Sequence, residues 1–265
     1  MTGGTGRAVL PAGGHEAPPG ACGTLGPGRD LAVALADRPR AVVVPMTLGR
    51  DPELAPAAAQ TLRWAARGAA PGDLLLAAPL GTTTHLVGWL RAAAVRAARG
   101  GDGGRALLLV APPGGPDDDA ELFKVARLVW RHLRIPWVEV AFTGGEPDVP
   151  EGVERCRRLG AREVVLVPAS LVPPPPCEGA LTAGPLLGPA ALAALVRRRA
   201  AEAEARWRRD GADGLADAAA HHHHDHGHGH GHGHGHHDGP AGSPHDPFPD
   251  STETTSLKEA AAHGR

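Results

Sequence analysis

The sequence has few cysteines, no long apolar run and no excess of charge of either sign. Its three cysteines, Cys22, Cys156 and Cys177, are odd in number and lack CxxC spacing, which argues against a disulfide framework and a thiolate zinc site. No apolar run reaches the roughly 18 residues of a membrane span, so we expect a cytoplasmic protein with no membrane partner. Because 27 basic residues face 29 acidic ones, a nucleic-acid partner is not expected either.

Histidine is instead abundant over a short stretch near the end of the chain, residues 221–237. Most imidazoles are unprotonated near neutral pH and can donate a lone pair to nickel, cobalt, copper or zinc. An expression tag is the alternative, but Asp225 interrupts the stretch, glycines alternate through it and further sequence follows it. The sequence therefore predicts a native metal-binding tail. Its histidines are His221, His222, His223, His224, His226, His228, His230, His232, His234, His236 and His237.

Short apolar runs alternate with segments of helical period, a pattern typical of parallel sheets covered by helices. The predicted strands are 7–11, 41–46, 73–78, 105–111, 136–142 and 163–168. The predicted helices are 52–67, 83–99, 120–134, 150–159 and 189–209. The aspartates of "PDDD" precede the third of these helices and are expected to cap it, with metal ligation as the alternative.

The two halves of the folded part resemble each other. "AVVVPMTL" (41–48) and "VVLVPASL" (164–171) share a strand, a proline at the same step and a leucine three residues later. Relative to the second half, the first half lacks one strand and one helix. We therefore predict two α/β lobes, 1–100 and 101–210, followed by a tail, 211–265, whose composition predicts disorder.

Ligands of such sheets bind beyond the carboxyl ends of the strands. That rule gathers His15, Glu16, Arg50, Asp51 and the loop 112–119 around one predicted cleft.

A family resemblance rests on specific segments. "ELFKVARLVW" (121–130), "WVEVAFTGGEPDVPEGVERCRRLGAREVVLVPASL" (137–171) and "VVVPMTLGRDPEL" (42–54) resemble the sirohydrochlorin chelatase family, class II enzymes that insert cobalt or ferrous iron into a tetrapyrrole. The resemblance implies two flavodoxin-like lobes with parallel sheets flanked by helices. It also implies a tetrapyrrole in the cleft between them and a divalent metal as substrate. A histidine-rich segment occurs in members of that family as well.

The resemblance points to His15 as general base and transient metal ligand, because "GGHE" stands where the family has His-Gly-Ser. Gly13 and Gly14 would leave backbone space for a planar substrate. An ordinary surface-loop histidine is the alternative. Glu16 is expected to orient His15 or accept a proton, with an exposed glutamate as the alternative.

The sequence also departs from the family pattern. Where a second histidine normally follows the proline-containing strand, this chain has Arg50. The loop after Pro168 is a polyproline stretch, so the second lobe is expected to lack a catalytic role. His85, at a helix start, is a substitute metal ligand, or alternatively makes a structural hydrogen bond.

Sirohydrochlorin is a polycarboxylate, so Arg29 and Arg50 are candidate substrate-binding residues, with ordinary surface cations as the alternative. The sequence thus favours a sirohydrochlorin cobalto- or ferrochelatase acting in cobalamin or sirohaem biosynthesis. A non-catalytic relative that carries or stores metal or tetrapyrrole is the alternative. The oligomeric state stays open.

Overall fold

The computed structural model describes residues 6–98, 104–133 and 135–220. The strands in chain order are β1 (Ala8–Ala12), β2 (Ala41–Pro45), β3 (Leu74–Leu76), β4 (Arg105–Ala111), β5 (Val138–Phe142), β6 (Glu163–Pro168) and β7 (Leu181–Thr182). The helices are α1 (Arg29–Asp37), α2 (Leu54–Ala65), α3 (Thr83–Ala98), α4 (Pro116–Trp130), α5 (Val149–Arg158), α6 (Pro189–Asp210) and α7 (Leu215–Ala220). None of these helices combines the length and apolarity that crossing a bilayer requires.

The strands form two parallel sheets flanked by helices, which confirms the predicted fold class. The first sheet has the order β1-β2-β3 and the second the order β5-β4-β6-β7. All their ladders are parallel. Both sheets lie in one compact unit. The predicted lobe boundary near residue 100 falls on residues outside those described, and the division into two lobes stays a prediction.

The topology agrees with the internal repeat. Pro45 pairs in register with Ala12 of β1, and Pro168 pairs with Val110 of β4, so β2 corresponds to β6 and β1 to β4. The chain goes from β1 to β2 through a short 3-10 turn (Ala21–Gly23) and α1, whereas it goes from β4 to β6 through α4, β5 and α5. The first half therefore lacks the counterparts of α4 and β5.

Successive side chains of each strand point to opposite faces of its sheet, so the buried residues form three clusters, one between the sheets and one on the outer face of each. One face of the first sheet packs on α1, α2 and α7, and one face of the second sheet packs on α5. The inner faces of both sheets share a single cluster with α3, α4 and α6. Because the strands are apolar on both faces, each sheet is covered on both sides, as parallel sheets require.

The six predicted strands and five predicted helices are present, most with ends within one or two residues of the prediction. The helix predicted over 120–134 begins earlier, at Pro116, and its aspartates occupy the first turn. Helix α1 was not predicted, although Leu31, Ala34 and Leu35 have helical spacing and are buried.

The predicted start of disorder at residue 211 is wrong, because α7 is ordered against the first sheet. Leu215 and Ala218 are buried beside α2. The backbone N–H of Leu76 donates to the carbonyl of Asp213 at 2.9 Å, which extends the edge of β3. The remaining tail, including every histidine from His221 to His237, lies outside the described residues.

We expect Leu215→Ala to lower the free energy of unfolding by about 2 kcal/mol, because it removes a buried side chain from the contact between α7 and α2. Urea unfolding followed by circular dichroism measures this change. Leu181→Ala is the matched control, since Leu181 is 52% exposed and its truncation should cost about 0.5 kcal/mol or less. Equal effects of the two substitutions would contradict a packed α7.

Candidate functional site

Three loops meet at the carboxyl ends of the strands, where the sequence predicted a cleft. One follows β1 and carries His15 and Glu16; a second, Thr47–Asp51, follows β2. The third, 112–115, joins β4 to α4, whose first turn continues it to residue 119. Because the first two loops belong to the first sheet and the third to the second sheet, this cluster joins the two halves of the chain.

Glu16 lies at the centre of the cluster and is fully buried, so the alternative of an exposed glutamate is wrong. Its Oε2 accepts hydrogen bonds from the Thr47 hydroxyl, from the backbone N–H of Leu48 at 2.7 Å and from that of Arg50 at 3.1 Å. Its Oε1 has no partner among the described atoms. One carboxylate oxygen thus fixes the loop after β2, while the other stays available in a buried position.

Burial raises the pKa of Glu16 above its ordinary value of 4.5, because the charged form loses its hydration. The hydrogen bonds from Thr47 and Leu48 and the positive charge of Arg50 oppose this shift but do not cancel it. A carboxyl group with a raised pKa inside a cluster of polar loops is a candidate for proton transfer.

Arg50 is also buried, with its side chain fully inaccessible to solvent, so the alternative of a surface cation is wrong for it. Its Nε donates to the carbonyl of Asp118 at 3.2 Å, and its Nη2 lies 3.4 Å from Oδ1 of Asp119. Burial lowers the pKa of the guanidinium, while the negative charges of Glu16 and Asp119 oppose that shift. Arg50 therefore links the loop after β2 to the start of α4.

The aspartates at the start of α4 cap the helix, as predicted. Oδ2 of Asp118 accepts from the backbone N–H of Gly115, and Oδ1 of Asp119 accepts from that of Gly114, both at 2.9 Å. Oδ1 of Asp119 therefore contacts both the backbone N–H of Gly114 before the helix and the guanidinium of Arg50.

His15 lies against both halves of the chain, and its side chain is 15% exposed. Oδ2 of Asp51 accepts from the backbone N–H of His15 at 3.1 Å and lies 3.4 Å from its Nδ1. On the other side, the Cε1 atom lies 3.0 Å from where a Cβ at Gly114 would stand. Its Nε2 is buried and has no partner among the described atoms. Asp51 thus holds one side of the ring and leaves Nε2 free for a proton or a metal.

The glycines before His15 serve a different purpose from the one predicted. A Cβ at Gly14 would lie 1.9 Å from Oδ2 of Asp51, and a Cβ at Gly13 would lie 2.2 Å from the carbonyl of Ala17. The space that was expected to admit a planar substrate is therefore filled by the protein itself.

The remaining predicted site residues lie outside this cluster of contacts. Nδ1 of His85 lies 2.8 Å from the Thr82 hydroxyl, and its ring stacks on Trp89, so it makes the structural hydrogen bond that was the alternative to metal binding. Arg29 is exposed in the first turn of α1. In the part of the chain that the structure describes, no three side chains of His, Cys, Asp or Glu are grouped to hold a metal.

A cavity of about 410 Å³ adjoins the cluster at the ends of β2 and β3. Asp51 lines it, so the partner of His15 faces this space. Thr82 from the loop after β3, Thr83 at the start of α3 and Ala218 from α7 line its other sides.

The contacts of Asp51 with His15 and of Thr47 with Glu16 were not predicted. Asp51 was placed near the cleft without a role, although its Oδ1 also accepts from the backbone N–H of Leu54, the first residue of α2. An aspartate that stands directly before a predicted helix, as Asp51 does before 52–67, indicates that its side chain accepts from the first backbone N–H groups of the helix. Its contact with His15 could not be read from the sequence.

The second half of the chain matches a known family. The model of the CbiX family matches residues 114–173, from the loop after β4 to the loop after β6. Over these residues the chain is thus similar to the CbiX family. This confirms the family resemblance seen in the sequence.

Two individual proteins are also similar. A sirohydrochlorin cobaltochelatase from Priestia megaterium is 43% identical over 51 residues, which are 19% of this chain and 17% of that enzyme. The matched stretch therefore spans less than a fifth of that relative. A multi-domain protein from Deinococcus radiodurans, described as structurally similar to chelatases, is 22% identical with a TM-score of 0.36, over 69% of this chain and 40% of that protein.

We expect Glu16→Gln to change how the free energy of unfolding depends on pH. The pKa of Glu16 is raised in the folded state, so its contribution to the free energy of unfolding is greatest below the unfolded-state pKa. This contribution is lost as pH rises through the folded-state pKa, because a buried carboxylate must then form. The amide cannot ionise, so this loss should be absent in the variant. Urea unfolding from acidic to neutral pH measures the difference.

Glu154→Gln is the control for this pH series, because Glu154 is half exposed and pairs only with Arg158 on the helix surface. The control should keep the pH dependence of the wild type. A Glu16→Gln curve parallel to that of the wild type would show that Glu16 does not titrate at a raised pKa.

Proposed function

We propose that this protein inserts cobalt(II) or iron(II) into a tetrapyrrole of the sirohydrochlorin type, with His15 as the base. The proposal is carried by the position of His15, whose unpartnered Nε2 is buried where the loop after β1 meets the CbiX-type segment at Gly114. The sirohydrochlorin cobaltochelatase named above supports the class of substrate. Cobalamin and sirohaem biosynthesis are the pathways that use such a product.

Metal insertion requires removal of two pyrrole protons as two nitrogen–metal bonds form. The lone pair on Nε2 of His15 would accept these protons one at a time and pass them to solvent. The contact of Nδ1 with Asp51 favours the tautomer in which Nδ1 carries the hydrogen and Nε2 is free. Glu16, buried next in the chain with a raised pKa, is the proposed second proton carrier.

The carboxylates of the substrate require cations at the mouth of the site. Arg29 is exposed and can reach a ligand from solvent. Arg50 is enclosed, and only its Nη1 lacks a partner among the described atoms. We therefore propose Arg29 as the principal carboxylate partner and Arg50 as a residue that acts mainly by holding the two halves together.

The histidine-rich tail is proposed to supply the substrate metal. Helix α7, which lines the 410 Å³ cavity through Ala218, ends at Ala220, directly before His221 in the sequence. By the usual affinity order, imidazoles prefer nickel, copper and cobalt to ferrous iron, which favours cobalt as the inserted metal.

A second function is favoured by one observation. Arg50 occupies the place of the family's second histidine and is bound to Asp118 and Asp119 rather than open to a ligand. A chelatase relative that has lost catalysis and carries or stores metal or tetrapyrrole would tolerate this exchange, and in that case the tail would perform the main task.

We expect purified protein to accelerate cobalt(II) or iron(II) insertion into sirohydrochlorin over the protein-free rate, followed by the visible spectrum. His15→Ala should lower the rate about a hundredfold, the effect typical of losing a general base. His132→Ala, which changes an exposed histidine, is the matched control and should keep the wild-type rate. Wild-type protein no faster than the blank would exclude the enzyme and favour the carrier, and full activity of His15→Ala would exclude the role of His15.

We expect deletion of residues 221–237 to leave the insertion rate unchanged at saturating metal and to lower it when metal is scarce, because the tail only raises the local metal supply. Rates measured over a series of cobalt(II) concentrations test this. A storage protein would instead lose its whole metal capacity, which equilibrium dialysis measures. Equal rates with and without the tail at every concentration would contradict metal supply by the tail.

A further inference from the structure

The inner face of β1 borders an apolar cavity of about 590 Å³. Val9 and Pro11 of β1, Met46 after β2 and Leu171 after β6 form one side of it, and Leu192 and Val196 of α6 form the other. It is separate from the cavity that Asp51 lines, and no residue borders both.

The repeat explains why this space exists. By the register of the two prolines, Val9 and Pro11 correspond to Leu107 and Leu109 of β4. Leu107 and Leu109 are fully buried in the cluster to which α4 contributes Leu122 and Val125, whereas Val9 and Pro11 are only half-buried. The first half has no counterpart of α4, and α6 covers the vacated face only in part.

The rim of the cavity carries one free positive charge. Arg198 and Arg199 both bind Glu202, but the neighbouring Arg197, which lines the cavity, has no ion-pair or hydrogen-bond partner among the described residues. A guanidinium without a partner beside an apolar wall suits a ligand with an apolar body and a single anionic group. It does not suit a polycarboxylate, which would need several cations.

The rim also carries strained backbone. Cys22 has a φ of 54°, the one positive φ at a non-glycine position among the described residues, and its Sγ lies 3.6 Å from the carbonyl of Leu171. Such conformations cost free energy and concentrate at ligand sites. The exposed thiol gives a chemical reporter for this cavity.

We propose that this cavity binds an amphipathic monocarboxylate, whose apolar body fills the space left by the missing helix and whose carboxylate pairs with Arg197. This site is independent of the proposed chelatase reaction, since it uses neither His15 nor Glu16. Small-molecule ligands commonly occupy cavities of about 300–1,000 Å³, a range that includes the present one.

Alkylation of Cys22 by iodoacetamide in the full-length protein tests the proposal. Dodecanoate is the probe, dodecanol is its uncharged counterpart, and mass spectrometry reads each cysteine separately. At dodecanoate tenfold above its Kd, Cys22 should react about tenfold more slowly. Cys177, which is partly exposed and lines a different cavity, is the internal control and should react as before.

Two pairs of matched variants locate the ligand. Arg197→Ala should weaken dodecanoate binding about tenfold, whereas Arg198→Ala should not. Ala193→Phe, which fills the cavity from an exposed position of α6, should abolish protection, whereas Ala194→Phe, one residue away and not lining it, should keep it. Circular dichroism confirms that each variant is folded.

Four results would overturn the proposal. Equal protection of Cys22 and Cys177, or unchanged protection in Ala193→Phe, would show that dodecanoate does not bind in this cavity. Equal binding of dodecanoate and dodecanol would exclude the pairing with Arg197. Stronger protection of Cys22 by sirohydrochlorin than by dodecanoate would assign the cavity to the tetrapyrrole instead.

Discussion

The buried carboxyl group of Glu16 and the buried guanidinium of Arg50 are the contacts on which the geometry of the candidate site depends. Glu16 fixes the backbone of the loop after β2, and Arg50 reaches from that loop to the start of α4. Burying such groups is unfavourable unless each makes several hydrogen bonds, so the three loops cannot separate without leaving a charge unpaired. The position of His15 between Asp51 and Gly114 follows from this constraint.

The unequal repeat is the second feature that shapes the protein. Two related sheets share one inner layer of helices. The first sheet has one strand fewer than the second, and it lacks a counterpart of α4 in the inner layer. The cover that α6 gives to β2 and β3 does not extend fully over β1. The absence of this repeat element thus leaves a half-open apolar face at the edge strand β1.

The segment that is similar to a known family and the residue proposed as the base lie in different halves of the chain. The segment that matches the CbiX family lies in the second half, whereas the histidine proposed as the base follows the first strand of the first half. Gly114, the first residue of the matched segment, is also the residue against which the imidazole packs. The proposed site therefore draws on loops from both halves of the chain.

The sequence by itself determined six of the seven strands and five of the seven α-helices of the described residues, and the likeness of residues 114–173 to a known family. The short strand β7 was not predicted. The apolar run of β4 from Ala106 to Ala111 is a local signal, as is the helical spacing of Leu122, Val125, Ala126 and Val129 in α4. Helix α7 escaped detection because six residues rich in alanine have little periodicity, and their order comes from contact with α2.

Only the tertiary structure decided which polar residues are buried. Nothing adjacent to Glu16 or Arg50 in the sequence distinguishes them from surface charges, because their partners are some 30 to 70 residues distant along the chain. The same holds for Gly14, whose missing side chain admits Asp51 rather than a substrate. Local sequence fixes secondary structure through propensity and period, but the burial of a charge depends on which loops the sheet topology brings together.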